Sequence, residues 1–317
     1  MKILILSNHI AALPTINALF EKKWLECVVT SGNQLIKNEI HDFCDLKGIA
    51  CYEVITQTSF SEQVHDLIIS TKADLVLVFG FSKKIPNSLL DLPPLGFFNV
   101  HFSLLPAYRG PAPLFWQIKN GETFTGITIH KISSSLDSGP ILHQQQVQLR
   151  AEESFGALNH RLSLIAVSII AEAFDMLNNN DYMLTDQNEH LSFTLPSVNQ
   201  QDLIIDWENQ TAAEIMNLVN ACNPVYNGAI AFLNGQEVSI VEVSPAIIND
   251  VSGEEPGTIV FADGNYGLFV ACKYDSFLRI NVVRNNESIL SGHKLVALGV
   301  KTGARFSNNI QDQILNN

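Results

Sequence analysis

The chain has 317 residues, 46% hydrophobic and 16% charged, a balance that folds instead of staying disordered and a length that fits about two domains. Nineteen Lys and Arg against 32 Asp and Glu leave a net charge of −13, which argues against a protein that grips nucleic acid mainly by charge, although a local basic patch is compatible with it. No run of about 18 apolar residues is present to span a bilayer, and Cys27, Cys44, Cys51, Cys222 and Cys272 are scattered without a CxxC pair, so neither a disulfide framework nor a zinc site is expected and a reducing cytoplasm fits.

In chain order, residues 2–7 read as a first β-strand, since Ser7, Asn8 and His9 interrupt the apolar start too early for a signal peptide. Residues 25–31, 74–81 and 96–103 are likewise β-rich and near-continuously apolar, the pattern of strands covered on both faces. Helical patterns at 11–21, 38–47 and 59–71 separate them; in the last, Phe60, Val64, Leu67 and Ile68 follow the i, i+4, i+7, i+8 spacing of one helix face. This alternation predicts an α/β fold with a doubly wound, mostly parallel sheet and right-handed crossovers. Two further β-runs, 126–132 and 140–149, precede a long amphipathic helix over 154–177.

A polar, turn-rich stretch follows. The first domain is therefore set at residues 1–185, a linker at 186–202 and a second domain at 203–317. The second opens on 203–207 and a helix near 211–222 starting from a plausible N-cap. Short strands at 229–233, 237–243, 258–261, 268–272 and 278–283, separated by turns such as Asn234-Gly235, predict a small OB-like β-barrel.

The chemistry concentrates between Gly96 and Leu142. On a strand, Asn99 and His101 lie two residues apart and leave the same face. A Pro/Gly-rich loop follows at the carboxyl end, where open α/β sheets bind ligands. The turn Leu136-Asp137-Ser138-Gly139 then adds a carboxylate. An amide can donate to an oxyanion, an imidazole can move a proton, and a carboxylate can hold the imidazole. From spacing alone, a structural hydrogen-bonding His and a turn-forming Asp stay open as alternatives. G-x-S-x-G, a P-loop and an early G-x-G-x-x-G are all absent.

The motifs N-V-H-F-S-L-L-P-A-Y-R-G-P-A-P from Asn99, N-G-E-x-x-x-G-I-T-I-H-K from Asn120 and L-D-S-G-P-I-L from Leu136 resemble the folate-dependent formyltransferase family, of the methionyl-tRNA and UDP-aminoarabinose formyltransferase type. Ile205-Asp206-Trp207, Asn223-Pro224, Pro256-Gly257-Thr258 and Gly303-Ala304-Arg305-Phe306 extend the resemblance into the second domain. It implies an enzyme that moves a formyl group from 10-formyltetrahydrofolate to a primary amine with no metal, using Asn99, His101 and Asp137 as the catalytic set. It further implies a pterin wall from Phe79, Gly80, Phe81, Ile85 and Pro86, a second from Ser103, Leu104, Leu105 and Pro106, with a cis bond before Pro106, and contacts from Leu136 and Asp137. Arg109 and Gly110 are the expected acceptor contacts, Arg109 reaching a charged acceptor or bracing its loop.

Two departures from the pattern stand out. Where the tRNA enzymes of the family carry a basic insertion, residues 31–38 read SGNQLIKN, with Lys37 alone. The second domain also holds more acidic than basic residues, and 292–306 resembles the aminoarabinose type. The expected partners are thus a folate donor and a small amine such as a nucleotide-linked amino sugar, with methionyl-tRNA as the alternative acceptor and a formyltetrahydrofolate hydrolase or a non-catalytic binder further off. A membrane role is not expected, and a dimer is compatible with the sequence. Phe115, Trp116, His130 and His143 read as structural.

Overall fold

A computed structural model describes residues 1–32, 37–54 and 57–308. Residues 33–36, within the stretch where a basic insertion would fall, lie outside the described residues, as does the tail from 309. The strands and helices run β1 (Ile3–Leu6), α1 (Leu13–Glu21), β2 (Leu25–Ser31), α2 (Lys37–Lys47), β3 (Cys51–Val54), α3 (Gln57–Thr71), β4 (Leu75–Phe79), β5 (Gly96–His101), α4 (Pro113–Lys119), β6 (Phe124–Lys131), β7 (Ile141–Gln148) and α5 (Phe155–Asn178). The chain then continues through α6 (Ala212–Cys222), β8 (Ala229–Leu233), β9 (Gln236–Ala246), β10 (Ile259–Asp263), β11 (Gly267–Cys272), β12 (Ser276–Arg284), β13 (Ile289–Ser291), α7 (Gly292–Ala297) and β14 (Phe306–Ser307). No described helix is long and apolar enough to cross a membrane.

Two compact units result. The first comprises Met1–Pro113, Phe124–Gln148 and Asn159–Leu195; the second comprises Leu114–Thr123, Leu149–Leu158 and the chain from Pro196. In the first, a seven-stranded sheet has the order β3-β2-β1-β4-β5-β6-β7. β1 to β5 are parallel, and β6 and β7 join antiparallel. All four side chains of β1 and all five of β4 are buried, as strands covered on both faces require. Phe60, Val64 and Ile68 of α3 pack with Leu4, Leu6, Val29, Val76 and Phe97 in one apolar cluster, so the helix periodicity read from sequence is the face that meets the sheet. β3 was not anticipated. It is a four-residue edge strand on which only Val54 is fully buried, so no alternation marks it.

The second unit is an antiparallel sheet with the path β10-β11-β12-β9-β8-β14, β13 pairing with β12. Its ends meet: Thr258 bridges Arg305, and the Phe306 N–H donates to the Gly257 carbonyl at 2.9 Å. This curled sheet is the OB-like element expected. Trp207, fully buried, stacks on Phe306 with centroids 5.3 Å apart. α6 starts from a reciprocal cap in which the Glu214 N–H donates to the Thr211 hydroxyl at 3.3 Å and the Thr211 N–H donates to Glu214 Oε2 at 2.7 Å. Thr211→Ala removes half of that exchange and should lower the stability of the second unit by about 1 kcal/mol, measured as a shift in its urea-unfolding midpoint.

Candidate active site

β5 and β6 pair antiparallel, with Asn99 directly opposite His130 and His101 opposite Thr128. Because alternate residues of a strand share a face, these four side chains form one polar patch at the carboxyl end of β5. The β6–β7 turn brings Asp137 onto it, its backbone in the left-handed region at φ 50°. The turn closes tightly at Gly139, where a Cβ would lie 1.8 Å from the Lys131 carbonyl oxygen, so only glycine fits.

Asp137 sits between two imidazoles. Its Oδ2 is 3.7 Å from His101 Nδ1, and its Oδ1 is 3.5 Å from His130 Nε2. The Gly110 N–H donates to Oδ2 at 2.9 Å, and Asn99 Nδ2 donates to Oδ1 at 3.4 Å. Burial pushes the carboxyl pKa up, but the His130 contact, the charge of His101 and the Gly110 N–H outweigh it and hold the pKa at about 2. Asp137 is therefore an anion at neutral pH. His101 is 6% exposed, and its Nε2–H donates to the Tyr108 carbonyl at 2.8 Å. That bond selects the tautomer whose Nδ1 lone pair faces Asp137. Burial lowers the His101 pKa more than Asp137 raises it.

Arg109 is almost fully buried. Its Nε and Nη2 donate to Gln187 Oε1 at 3.1 and 2.7 Å, while Nη1 and Nη2 form a fork on the Glu189 carboxylate at 2.9 and 2.7 Å. Gln187 Nε2 donates onward to the carbonyls of Asp137 and Gly139, both at 2.8 Å. The strap 185–195, drawn from the stretch expected to act as a linker, thus bolts the Asp137 turn to the Arg109 loop. Neighbouring Gly110 has φ +118°, and a Cβ there would lie 2.2 Å from the Leu195 carbonyl.

The expected donor walls lie nearby in the same unit. Phe79 packs edge-on against Phe102 at 5.5 Å, and Phe81 stacks on Phe60 at 5.6 Å, so both rings serve the core and leave the backbone of 79–81 as the presenting surface. The Gly80 carbonyl accepts from the Asn8 N–H. Ile85 and Pro86, with Lys84 and Asn87, line a shallow cavity of about 300 Å³. Ser103 donates to the Ala107 carbonyl at 2.8 Å, the Leu105 N–H reaches Thr128 Oγ1, and the Leu105–Pro106 bond is cis. Leu136 is 63% exposed beside Asp137.

Asn99, His101 and Asp137 therefore converge. Sequence reading took His130 as structural, and the structure sets its Nε2 3.5 Å from Asp137 Oδ1. Gln187 and Glu189 were not singled out, because a polar stretch without periodicity gives no signal. His143 stands apart, 3.8 Å from Glu172, and Phe115 is buried edge-on against Trp116 and Tyr226.

A family model described as formyl transferase matches residues 28–174, and one described as formyl transferase, C-terminal domain, matches 197–297. A methionyl-tRNA formyltransferase of Carboxydothermus hydrogenoformans is 36% identical over 76% of this chain and 75% of its own. One from Geotalea daltonii is 30% identical over 96% of this chain and 98% of its own. Among solved structures, HypX from Aquifex aeolicus in complex with tetrahydrofolic acid superposes with a TM-score of 0.63 at 19% identity, covering 95% of this chain and 48% of HypX, so this chain spans about half of HypX.

The His101 titration provides a test independent of any substrate. Its Cε1 proton should show an NMR midpoint below 6.5, the ordinary value for histidine. Asp137→Asn should move that midpoint further down, because the anion favours the imidazolium and its loss leaves burial unopposed.

Proposed function

The chain belongs to the formyltransferase family, and on that premise we propose that it is a methionyl-tRNA formyltransferase, moving the formyl group of 10-formyltetrahydrofolate onto the methionyl amine. It is a one-carbon transferase, and the folate is its donor. The observation that carries the acceptor is likeness running through both units, end to end with the Geotalea enzyme. This corrects the expectation of a small amine such as a nucleotide-linked amino sugar. That expectation rested on net acidity and a short loop, and relatives 30–36% identical over most of the chain, all methionyl-tRNA formyltransferases, overturn it. Net charge averages over a whole surface, whereas a tRNA needs only a local basic track. Aminoacyl-tRNA is used in translation, so the proposed workplace is the cytoplasm.

The residues present fit a folate. The pterin would lie against the backbone of 79–81 and the cavity edged by Ile85 and Pro86, with Ser103–Pro106 as a second wall and exposed Leu136 as an apolar cover. When bound, the donor supplies the formyl carbon as electrophile. Asn99, only partly buried, offers Nδ2 to the negative charge that builds on the formyl oxygen. The amine's proton must leave as it attacks. A carboxylate with a pKa of about 2 is too weak a base to keep it, so Asp137 relays the proton and His101 Nδ1 holds it. Asp137 stabilises the imidazolium, and the burial that disfavours it returns the proton to the departing donor nitrogen. Arg109, engaged with Gln187 and Glu189, braces the Asp137 turn.

Incubating the enzyme with methionyl-tRNA and 10-formyltetrahydrofolate should yield formylmethionyl-tRNA, and tRNA binding should weaken steeply as salt rises. Formate release with no formylated tRNA would overturn the reading. Asn99→Ala should lower kcat by about 10²–10³-fold, measured in the same assay with unfolding midpoints as the folding control.

A further inference from the structure

The transfer chemistry proposed above leaves unused a buried titratable group that borders the site. His130 is 2% exposed, on β6, facing the reacting patch. Its Nδ1–H donates to the Lys131 carbonyl at 3.1 Å, so in the neutral ring the Nε2 lone pair points into the site. Two partners meet that nitrogen with opposite demands. Asn99 Nδ2, at 3.2 Å, donates to a lone pair, whereas the Asp137 carboxylate, at 3.5 Å, attracts an N–H.

The Asn99 amide has two N–H bonds, one directed to His130 Nε2 and the other to Asp137 Oδ1. Both are engaged at rest. For Asn99 to meet charge on the formyl oxygen, one must be released at the moment that charge appears.

We propose that His130 is a positioning residue that holds the Asn99 amide while neutral and frees an Asn99 N–H when a proton reaches its Nε2 across Asp137. The inference rests on the formyl-transfer reading of this site. The proton is the one shed by the attacking amine: its N–H bond breaks as the nitrogen–carbon bond forms, Asp137 relays it first to His130 Nε2 and then back to His101 Nδ1, and from there it passes to the departing donor nitrogen, so none is gained or lost. The titratable groups facing His130 are His101 from β5 and Asp137 from the β6–β7 turn. The two rings stand nearly perpendicular, 6.4 Å apart, each pinned at its far nitrogen by a backbone carbonyl. One carboxylate thus serves two imidazoles, and a proton on His130 switches the oxyanion donor on.

The test compares His130→Ala, His130→Met and His130→Gln in the full chain. Glutamine can accept from Asn99 but takes no proton, so it restores the hold without the release and recovery is only partial, whereas methionine keeps bulk without that acceptor. The expected result is at least a tenfold loss of kcat in the Ala and Met variants with KM for donor and tRNA within twofold, and partial recovery in the Gln variant. Wild-type kcat in either Ala or Met, or recovery by Met equal to that by Gln, overturns the proposal by showing that the ring only fills space. The Met–Gln comparison still decides if the Ala variant does not fold. A readout free of turnover accompanies it: His130→Gln removes the neighbouring imidazole whose charge lowers the His101 pKa, so the His101 NMR midpoint should rise, and an unmoved midpoint also overturns the proposal. Failure of the wild-type enzyme to formylate tRNA would strike the acceptor reading and leave this NMR result standing.

Discussion

A carboxylate withdrawn from bulk water stays ionised only where its surroundings replace the lost hydration. Asp137 meets that demand with the Gly110 N–H and two flanking imidazoles. Nearly everything else in the first unit serves this arrangement. The antiparallel turn-back of β6 beside β5 brings His130 opposite Asn99, and Tyr108 and Lys131 carbonyls fix which nitrogen of each ring faces the anion. The result is a fixed negative point with proton acceptors on either side and an amide donor above one oxygen, polarity arranged before any substrate arrives.

Much of the frame was legible in the residues. Strands buried on both faces announce themselves as apolar runs, and α3 as an i, i+4, i+8 stripe. Asn99 and His101 are readable together because a period of two is local, and Asp137 because a turn between two strands has few places to go. What escaped was non-local. Opposing His130 to Asn99 depends on a register set across 22 intervening positions of loop and helix in the patch between β5 and β6, and Gln187 lies 50 residues from Asp137 in a polar stretch without periodicity. β3 escaped for a different reason: four residues with one buried side chain carry too little pattern.

The acceptor was misjudged because a summed charge was read as a surface. An excess of 13 negative charges sets the long-range field of the chain, yet a polyanion is bound by neighbouring cations a few ångströms away, within a screening length of about 8 Å at physiological salt. Motif content pointed to the chemistry, and whole-length likeness to methionyl-tRNA formyltransferases supports the acceptor proposed here.

The strap from 185 to 195 has a bearing on how such enzymes are recombined. It passes the Asp137 turn, seats Gln187 and Glu189 on Arg109, runs beside Gly110, and only then reaches Pro196 and the second unit. A chimera joined at the end of α5, the seam a helix boundary invites, would set a foreign strap against the native Asp137 turn. Grafting at Leu195 keeps the strap with the turn it holds and leaves the chain from Pro196 onward as the exchanged piece.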